Sequence, residues 1–255
     1  MFKENKEFWF YFFATIIMFF VIYSMMKNGF ESDSLGFIFF APRYNTQKTA
    51  QIVKTNLDLT KDYVALISTN YGDFTIDLYE KNAPNTVSNF ISLANSGYYE
   101  GTSFYRLIPN LLIQGGSSTT NNTDPNDDIY GGPGYTIPDE TDWDSLDYSN
   151  TLKVQLTKEG YTSSSIIASK DLMHYSVAMA SNGPNTGGGQ FFIIMAPNTD
   201  FRLDNLKGRH TVFGGLTGGY NVFDAIAQTK VDDSNALVPR PINQILINKV
   251  TILIN

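Results

Sequence analysis

The sequence contains no cysteine and only two histidines, His174 and His210, among its 255 residues. Disulfide bonds, thiol catalysis and cysteine-ligated metal are therefore excluded. The two histidines are far apart along the chain, which argues against a zinc site. We expect neither a metal nor another cofactor. The redox compartment stays open, because a chain without cysteine tolerates oxidising and reducing surroundings alike.

Positive charge is also scarce. The chain has 18 lysines and arginines against 25 aspartates and glutamates, for a formal net charge of -7, and no basic run occurs. Because phosphate contacts are made chiefly by clustered Lys and Arg, nucleic acid is not expected as a partner. Hydrophobic residues make up 42% of the chain, which is enough for one sizeable core with accessory segments.

Charge is absent altogether from residues 8–26, FWFYFFATIIMFFVIYSMM. As a helix this segment would be about 28 Å long, close to the thickness of a bilayer's hydrocarbon layer. Trp9, Tyr11 and Tyr23 lie near its ends, where aromatic rings favour the membrane interface. The segment predicts a membrane span. A cleaved signal peptide is the alternative, although its apolar region would be shorter and a small-residue cleavage site would follow.

The predicted span divides the chain into four parts. These are an N-terminal tail (1–7), a transmembrane anchor (8–26), a linker (27–62) and a folded domain (63–255). Two lysines precede the span, and Lys27 and Arg43 follow it, so the positive-inside count is nearly a tie. We expect a single-pass membrane protein with the short tail inside and the domain on the extracytoplasmic side.

Two segments carry the residues best suited to chemistry. Residues 104–116 read FYRLIPNLLIQGG, and residues 179–194 read MASNGPNTGGGQFFII. In the first, Arg106 interrupts a run that is otherwise typical of a buried strand. Gln114 and Gln190 each lie where glycines meet an apolar strand, so each could offer an amide to the backbone of a ligand. The alternative is that a carboxylate pairs with Arg106 and the glutamines only close turns.

Periodicity elsewhere predicts both strands and helices. Residues 74–78 alternate as a strand does, and residues 87–94 keep a helical spacing of apolar positions. Pro84 is expected to open that helix and Gly97 to close it. Alternating apolar residues at 245–247 and again at 250–254 predict a final pair of strands.

Four segments, in this order along the chain, resemble the cyclophilin family: FTIDLYEKNAPNTVSNFISL (74–93), the two segments above, and RHTVFGGLTGGYNVFDAI (209–226). The resemblance covers about residues 63–255. It implies a mainly β fold, a closed antiparallel eight-stranded barrel capped by two helices, here preceded by one N-terminal transmembrane helix. The chain is longer than compact cyclophilins within about residues 142–172, which we interpret as a surface insertion.

The resemblance implies a peptidyl-prolyl cis-trans isomerase that acts on proline-containing polypeptides and assists protein folding at a membrane. The catalytic residue would be Arg106, which would donate a hydrogen bond to the prolyl nitrogen of a twisted transition state. The positions that would bind the substrate are Leu111, Leu112, Gln114, Ala180, Ser181, Gln190, Phe192, Leu206 and His210.

Several positions depart from the family pattern. Leu111 and Leu112 stand where phenylalanine and methionine are common, and Asn182 stands where alanine is common. A longer loop places Asn205 where a tryptophan is frequent, with Phe201 nearby. One alternative function is therefore a cyclophilin-like module that binds proline-containing segments with little or no turnover. An unrelated anchored β-barrel that binds a small ligand is another. Independently of the function, each leucine of the predicted pocket could be an ordinary core residue.

Overall fold

The computed structural model describes residues 57–122, 124–164, 167–232 and 238–255. The predicted tail and anchor, and the predicted linker up to residue 56, lie outside these residues. Within the four described ranges, no helix combines the length and the apolar character needed to cross a membrane.

A closed antiparallel barrel dominates the domain. The described residues form ten strands: β1 (Tyr63–Thr69), β2 (Gly72–Leu78), β3 (Ser103–Ile108), β4 (Leu112–Gly115), β5 (Ser176–Met179), β6 (Phe191–Ile194), β7 (Val212–Gly218), β8 (Val231–Asp232), β9 (Arg240–Pro241) and β10 (Ile245–Ile254). Eight of them close the barrel in the order β1-β10-β3-β4-β6-β5-β7-β2, and β8 pairs with β9 apart from it. The predicted mainly β, eight-stranded barrel is confirmed.

The first predicted helix, α1 (Pro84–Asn95), begins at its proline. A proline fits there because the first backbone N–H groups of a helix have no partner within the helix. The carboxylate of Glu140 accepts the next two N–H groups, from Asn85 at 3.0 Å and Thr86 at 2.7 Å. Gly97, with φ of 74°, follows the end of the helix as expected.

The insertion is a folded element rather than a simple loop. It contains a helix, α2 (Asn150–Lys158), that we did not predict, while the second expected helix of the barrel is α3 (Tyr220–Ala227). Trp143, Leu156 and Tyr161 form a small apolar core of the insertion, separate from that of the barrel. Burial of these residues explains why a segment with few apolar residues adopts a defined structure.

Aromatic side chains fill the barrel. Six phenylalanines are almost completely buried there: Phe74, Phe90, Phe104, Phe191, Phe213 and Phe223. Phe191 meets Phe90 and Phe104 edge to face, with ring centroids 5.6 and 5.8 Å apart. Such pairs add to the stabilisation that burial of the rings provides. This packed interior leaves the outer face of the barrel as the place for a site.

The final pair of strands was a wrong prediction. Residues 245–254 form one continuous strand, β10. Ser68 of β1 pairs with Lys249 and Thr69 pairs with Ile247, so the register skips Asn248. Such a β-bulge inserts one extra residue without ending the strand.

Candidate active site

Three of the predicted site residues lie in one row across the barrel wall. Arg106 of β3 pairs with Gln114 of β4, and Gln114 pairs with Phe192 of β6. Directly paired residues of antiparallel strands project to the same side of the sheet. The adjoining residues Leu107 and Ile113 belong to the barrel core. The row Arg106–Gln114–Phe192 therefore faces away from the core.

A β-bulge in β3 adds Tyr105 to this row. The register of β3 against β4 shifts between Phe104 and Arg106, so Tyr105 is the extra residue. Strict alternation would have sent Tyr105 and Arg106 to opposite faces, but a bulge re-aims side chains. Both residues reach Gln114: Tyr105 Oη lies 2.8 Å from its Nε2 and Arg106 Nη1 lies 3.1 Å from its Oε1.

Hydrogen bonds fix the orientation of both glutamine amides. Gln190 Nε2 donates to the carbonyl oxygens of Gly131 at 2.8 Å and Ile129 at 3.2 Å. Its Oε1 accepts from Tyr105 Oη at 2.7 Å and from Gln114 Nε2 at 2.9 Å. Because Gln114 turns its Nε2 towards these groups, its Oε1 is left facing Arg106. A polar relay thus runs from the loop at 129–131 to the guanidinium of Arg106.

Arg106 is a buried cation held at one end of the relay. The residue is 8% exposed. Burial lowers its pKa from the ordinary value, yet a guanidinium stays protonated at any physiological pH. Burial also raises the pKa of Tyr105, so its hydroxyl remains a neutral donor. A fixed, weakly solvated donor of this kind interacts more strongly with a ligand than one in water.

The apolar part of the site centres on Phe192. Its ring meets His210 edge to face, with centroids 5.1 Å apart. His210 Nδ1 lies 3.1 Å from the carbonyl oxygen of Met179 and 3.2 Å from Ser181 Oγ. A carbonyl can only accept, so Nδ1 carries the proton of the neutral ring. Burial lowers the pKa of His210 to about 4, with the charge of Arg209 adding to the effect and the bond to Met179 opposing it.

Contacts or strand pairing connect seven of the ten predicted residues. They are Arg106, Gln114, Ala180, Ser181, Gln190, Phe192 and His210, with Ala180 joined through its N–H to the carbonyl oxygen of Gln190 at 2.9 Å. Leu111, Leu112 and Leu206 are 1–2% exposed. Burial of this degree fits a pocket wall and core packing equally, so their roles stay predictions. Phe201 is 72% exposed at the start of a short 3-10 helix, Phe201–Asn205.

Among the described residues, no group of three or more acidic or histidine side chains is arranged to hold a metal ion.

Comparison with known proteins identifies the family. Residues 64–252 match the family model described as cyclophilin type peptidyl-prolyl cis-trans isomerase/CLD. The chain belongs to the cyclophilin family. The predicted classification as a peptidyl-prolyl cis-trans isomerase is confirmed as a family assignment.

Peptidyl-prolyl cis-trans isomerases of similar sequence include bacterial and fungal proteins. The chain is 34% identical over 179 residues to the peptidyl-prolyl cis-trans isomerase of Helicobacter pylori, covering 69% of this chain and 88% of that protein. It is 32% identical over 211 residues to peptidyl-prolyl cis-trans isomerase B of Streptomyces anulatus, covering 76% and 98%. It is 34% identical over 191 residues to peptidyl-prolyl cis-trans isomerase-like 2 of Gibberella zeae, with 75% of this chain matched to only 27% of that longer protein.

Solved cyclophilin structures agree with the fold. A cyclophilin type peptidyl-prolyl cis-trans isomerase of Cryptosporidium parvum superposes with a TM-score of 0.55 at 28% identity, over 76% of this chain and 99% of that one. A crystal structure of the same protein in the presence of the dipeptide Ala-Pro gives a TM-score of 0.54 over 75% of this chain.

Tyr105→Phe is expected to lower kcat/KM five- to tenfold while costing about 2 kcal/mol of stability, because it removes two neutral hydrogen bonds, one to each glutamine amide. Peptide isomerisation kinetics and urea unfolding measure the two effects. Tyr63→Phe is the matched control, since its hydroxyl accepts from the N–H of Asp58, at 3.1 Å, and Tyr63 lies at the start of β1. Equal activity in the two variants would show that Tyr105 does not position the relay.

Proposed function

We propose that this cyclophilin catalyses cis-trans isomerisation of prolyl peptide bonds, with Arg106 as the catalytic residue. The observation that carries the proposal is a buried guanidinium, oriented by Gln114, in the same row as the apolar ring of Phe192 on the outer wall of the barrel. Arg106 would donate a hydrogen bond to the prolyl nitrogen as that atom becomes pyramidal. This bond is stronger in the twisted transition state than in either planar ground state, so it lowers the barrier.

The size of the barrier sets how much stabilisation the site has to supply. Resonance in the C–N bond sets a barrier of about 18–20 kcal/mol. A barrier of about 20 kcal/mol corresponds to roughly 0.01 per second, and a rate of about a thousand per second requires the removal of about 7 kcal/mol. No covalent intermediate is needed. One donor in a site that excludes water supplies about 2.7–4 kcal/mol of this, and orientation of the bound substrate has to supply the rest.

The substrate would lie across the row formed by β3, β4 and β6. We propose that the proline ring contacts Phe192, with Leu111, Leu112, Leu206 and His210 as further walls. Gln114, Ala180, Ser181 and Gln190 would hold the backbone on one side of the bond while the other side rotates. Proline-containing polypeptides are the expected substrates, which agrees with the Ala-Pro dipeptide used with the Cryptosporidium relative.

Exchange spectroscopy by NMR on a short Ala-Pro peptide tests the activity directly. The cis and trans forms give separate signals, and they exchange slowly without a catalyst. Catalysed exchange at substoichiometric protein is the expected result. Binding of the peptide without faster exchange would instead identify a proline-binding module.

We also propose that residues 8–26 anchor the protein in a membrane as a single span, with the cyclophilin domain on the extracytoplasmic side. The support is the length of the uncharged segment and the aromatic residues near its ends. An isomerase held there would act on polypeptides that fold at the membrane.

Deletion of residues 1–30 is expected to convert a protein that needs detergent into one that purifies without it and keeps at least half of its kcat/KM. The family match begins only at residue 64, so the catalytic residues are retained. Carbonate extraction of membranes that contain either form measures the anchoring. Release of the full-length protein by carbonate would contradict the anchor, and an insoluble truncated form would contradict the independence of the domain.

A further inference from the structure

The segment that links the 3-10 helix to β7 carries two predicted substrate contacts, Leu206 and His210. Between them lies Arg209, whose residue exposure is only 6%. Its Nη1 donates to the carbonyl oxygens of Asn205 at 3.3 Å and Lys207 at 3.4 Å. The guanidinium therefore ties this segment together from within, and whatever fixes the guanidinium fixes the segment.

Glu159, at the end of α2 in the insertion, holds the guanidinium of Arg209 in place. Arg209 Nε donates to Glu159 Oε2 at 2.7 Å, and Arg209 Nη2 donates to Glu159 Oε1 at 2.8 Å. This is a two-point arrangement of a planar fork on a carboxylate, the strongest geometry for such a pair. Burial opposes the charged carboxylate, but the bonds from Arg209 outweigh it and lower the pKa of Glu159.

Steric contact adds to the ion pair. Gly208 has φ of 75°, and a Cβ placed there would lie 2.5 Å from Leu156 Cδ1 and 3.2 Å from Tyr148 Cε2. Helix α2 therefore approaches the backbone of the segment too closely for any side chain at this position. Leu156 is fully buried in the small core of the insertion, so the contact is backed by a packed element.

The insertion does not fill all the space beside the segment. A cavity of about 530 Å³ is lined by residues of the insertion, among them Tyr148, Leu152 and Asp171, and by Asn205, Lys207 and Arg209. Open space on that side would let the segment move if the ion pair were lost. The other side of the segment contacts the site, because Ser181 Oγ lies 3.4 Å from the carbonyl oxygen of Arg209 and 3.2 Å from His210 Nδ1.

We infer that Glu159 is a positioning residue for the substrate-binding wall, and that the insertion acts as a brace which holds Leu206 and His210 in place through Arg209. This inference rests on the proposed function of the site. It gives the insertion a role in substrate affinity rather than in the rate of bond rotation, because Arg106 is held independently by Gln114, whose amide is oriented by Tyr105.

The test uses the full-length chain and an Ala-Pro peptide. Glu159→Gln keeps the shape of the side chain and removes its charge, and we expect KM and Kd to rise five- to tenfold with kcat within twofold of wild type. Glu159→Asp keeps the charge, and its KM and Kd are expected to lie between those of wild type and those of Glu159→Gln. Asp144→Asn is the matched control, because it breaks another ion pair of the insertion, Asp144 with Lys153 at 2.6 Å, that does not involve the braced segment. It should leave all three constants within twofold.

The inference is overturned if Glu159→Gln binds the peptide like wild type, if its loss falls on kcat with KM unchanged, or if Asp144→Asn weakens binding equally. Circular dichroism and thermal midpoints verify that each variant is folded, and Glu159→Asp carries the comparison if Glu159→Gln does not fold. Kd is measurable without turnover. A wild-type protein that binds the peptide but does not catalyse isomerisation would contradict the proposed function. The role of Glu159 would then still be tested by comparing the Kd of wild type with that of Glu159→Gln.

Discussion

Arg106→Ala is expected to lower kcat/KM at least 100-fold, a loss of about 2.7 kcal/mol of transition-state stabilisation. The substitution removes the one side chain that we assign to the prolyl nitrogen. Binding of a proline peptide should change only a few-fold, because Phe192 and the backbone contacts remain. The effect belongs to kcat if the guanidinium interacts with the twisted bond more strongly than with the planar one.

Two further variants separate this role from a general effect of charge. Arg106→Lys keeps a cation but loses the planar fork that meets Gln114, so partial activity is expected. Lys81→Ala removes an exposed cation paired with Asp62 at 3.3 Å on the protein surface and should behave as wild type. If folded Arg106→Ala kept more than a tenth of the wild-type kcat/KM, Arg106 would not be the catalytic residue.

Sequence periodicity predicted the parts of the fold in which local pattern and tertiary structure agree. The alternation in β2, the spacing in α1 and its proline start all reappear in the structure. The row of Arg106, Gln114 and Phe192 was accessible too, because each residue sits at a recognisable place in a family motif. These features depend on neighbours along the chain or on pairings between adjacent strands.

What the sequence did not predict depends on irregular strands and on distant contacts. Tyr105 was overlooked because strict alternation sends it away from Arg106. The signal was present, since Phe104 and Leu107 are both core residues at an odd spacing, which is typical of a bulge. In β10, Asn248 and Lys249 are both exposed between apolar stretches, and the same kind of bulge was mistaken for a break between two strands.

The structure of the insertion could not be predicted from the local sequence pattern. Helix α2 carries one buried residue, Leu156, and its pattern is too polar to predict a packed helix. The ion pair of Glu159 with Arg209 joins residues 50 positions apart, a contact that no spacing rule anticipates.

Loss of stability in acid is expected to depend on His210. Burial holds its pKa at about 4 in the folded protein, against about 6.5 in an unfolded chain. Between these values the unfolded chain takes up a proton and the folded one does not. The free energy of unfolding contributed by His210 is therefore fully present above about pH 6.5 and is lost as the pH falls towards 4. The loss amounts to about 3 kcal/mol, and His210→Gln abolishes this dependence.

Urea unfolding of wild type and His210→Gln at pH 7, 6, 5 and 4 measures the effect as a difference between the two proteins. The wild-type advantage should shrink by about 3 kcal/mol over this range.

Asp139 supplies a comparison of opposite sign, because burial raises its pKa to about 6 although Asn185 N–H donates to it. Its contribution is present at low pH and is lost as the pH rises through 6, so the advantage of wild type over Asp139→Asn should grow in acid. The two contributions oppose each other in wild type between pH 4 and 6, which is why only the single variants reveal them. A constant difference between wild type and His210→Gln would show that the ring of His210 is protonated or solvated in the folded protein, and that the apolar wall around Phe192 is more open than its contacts indicate.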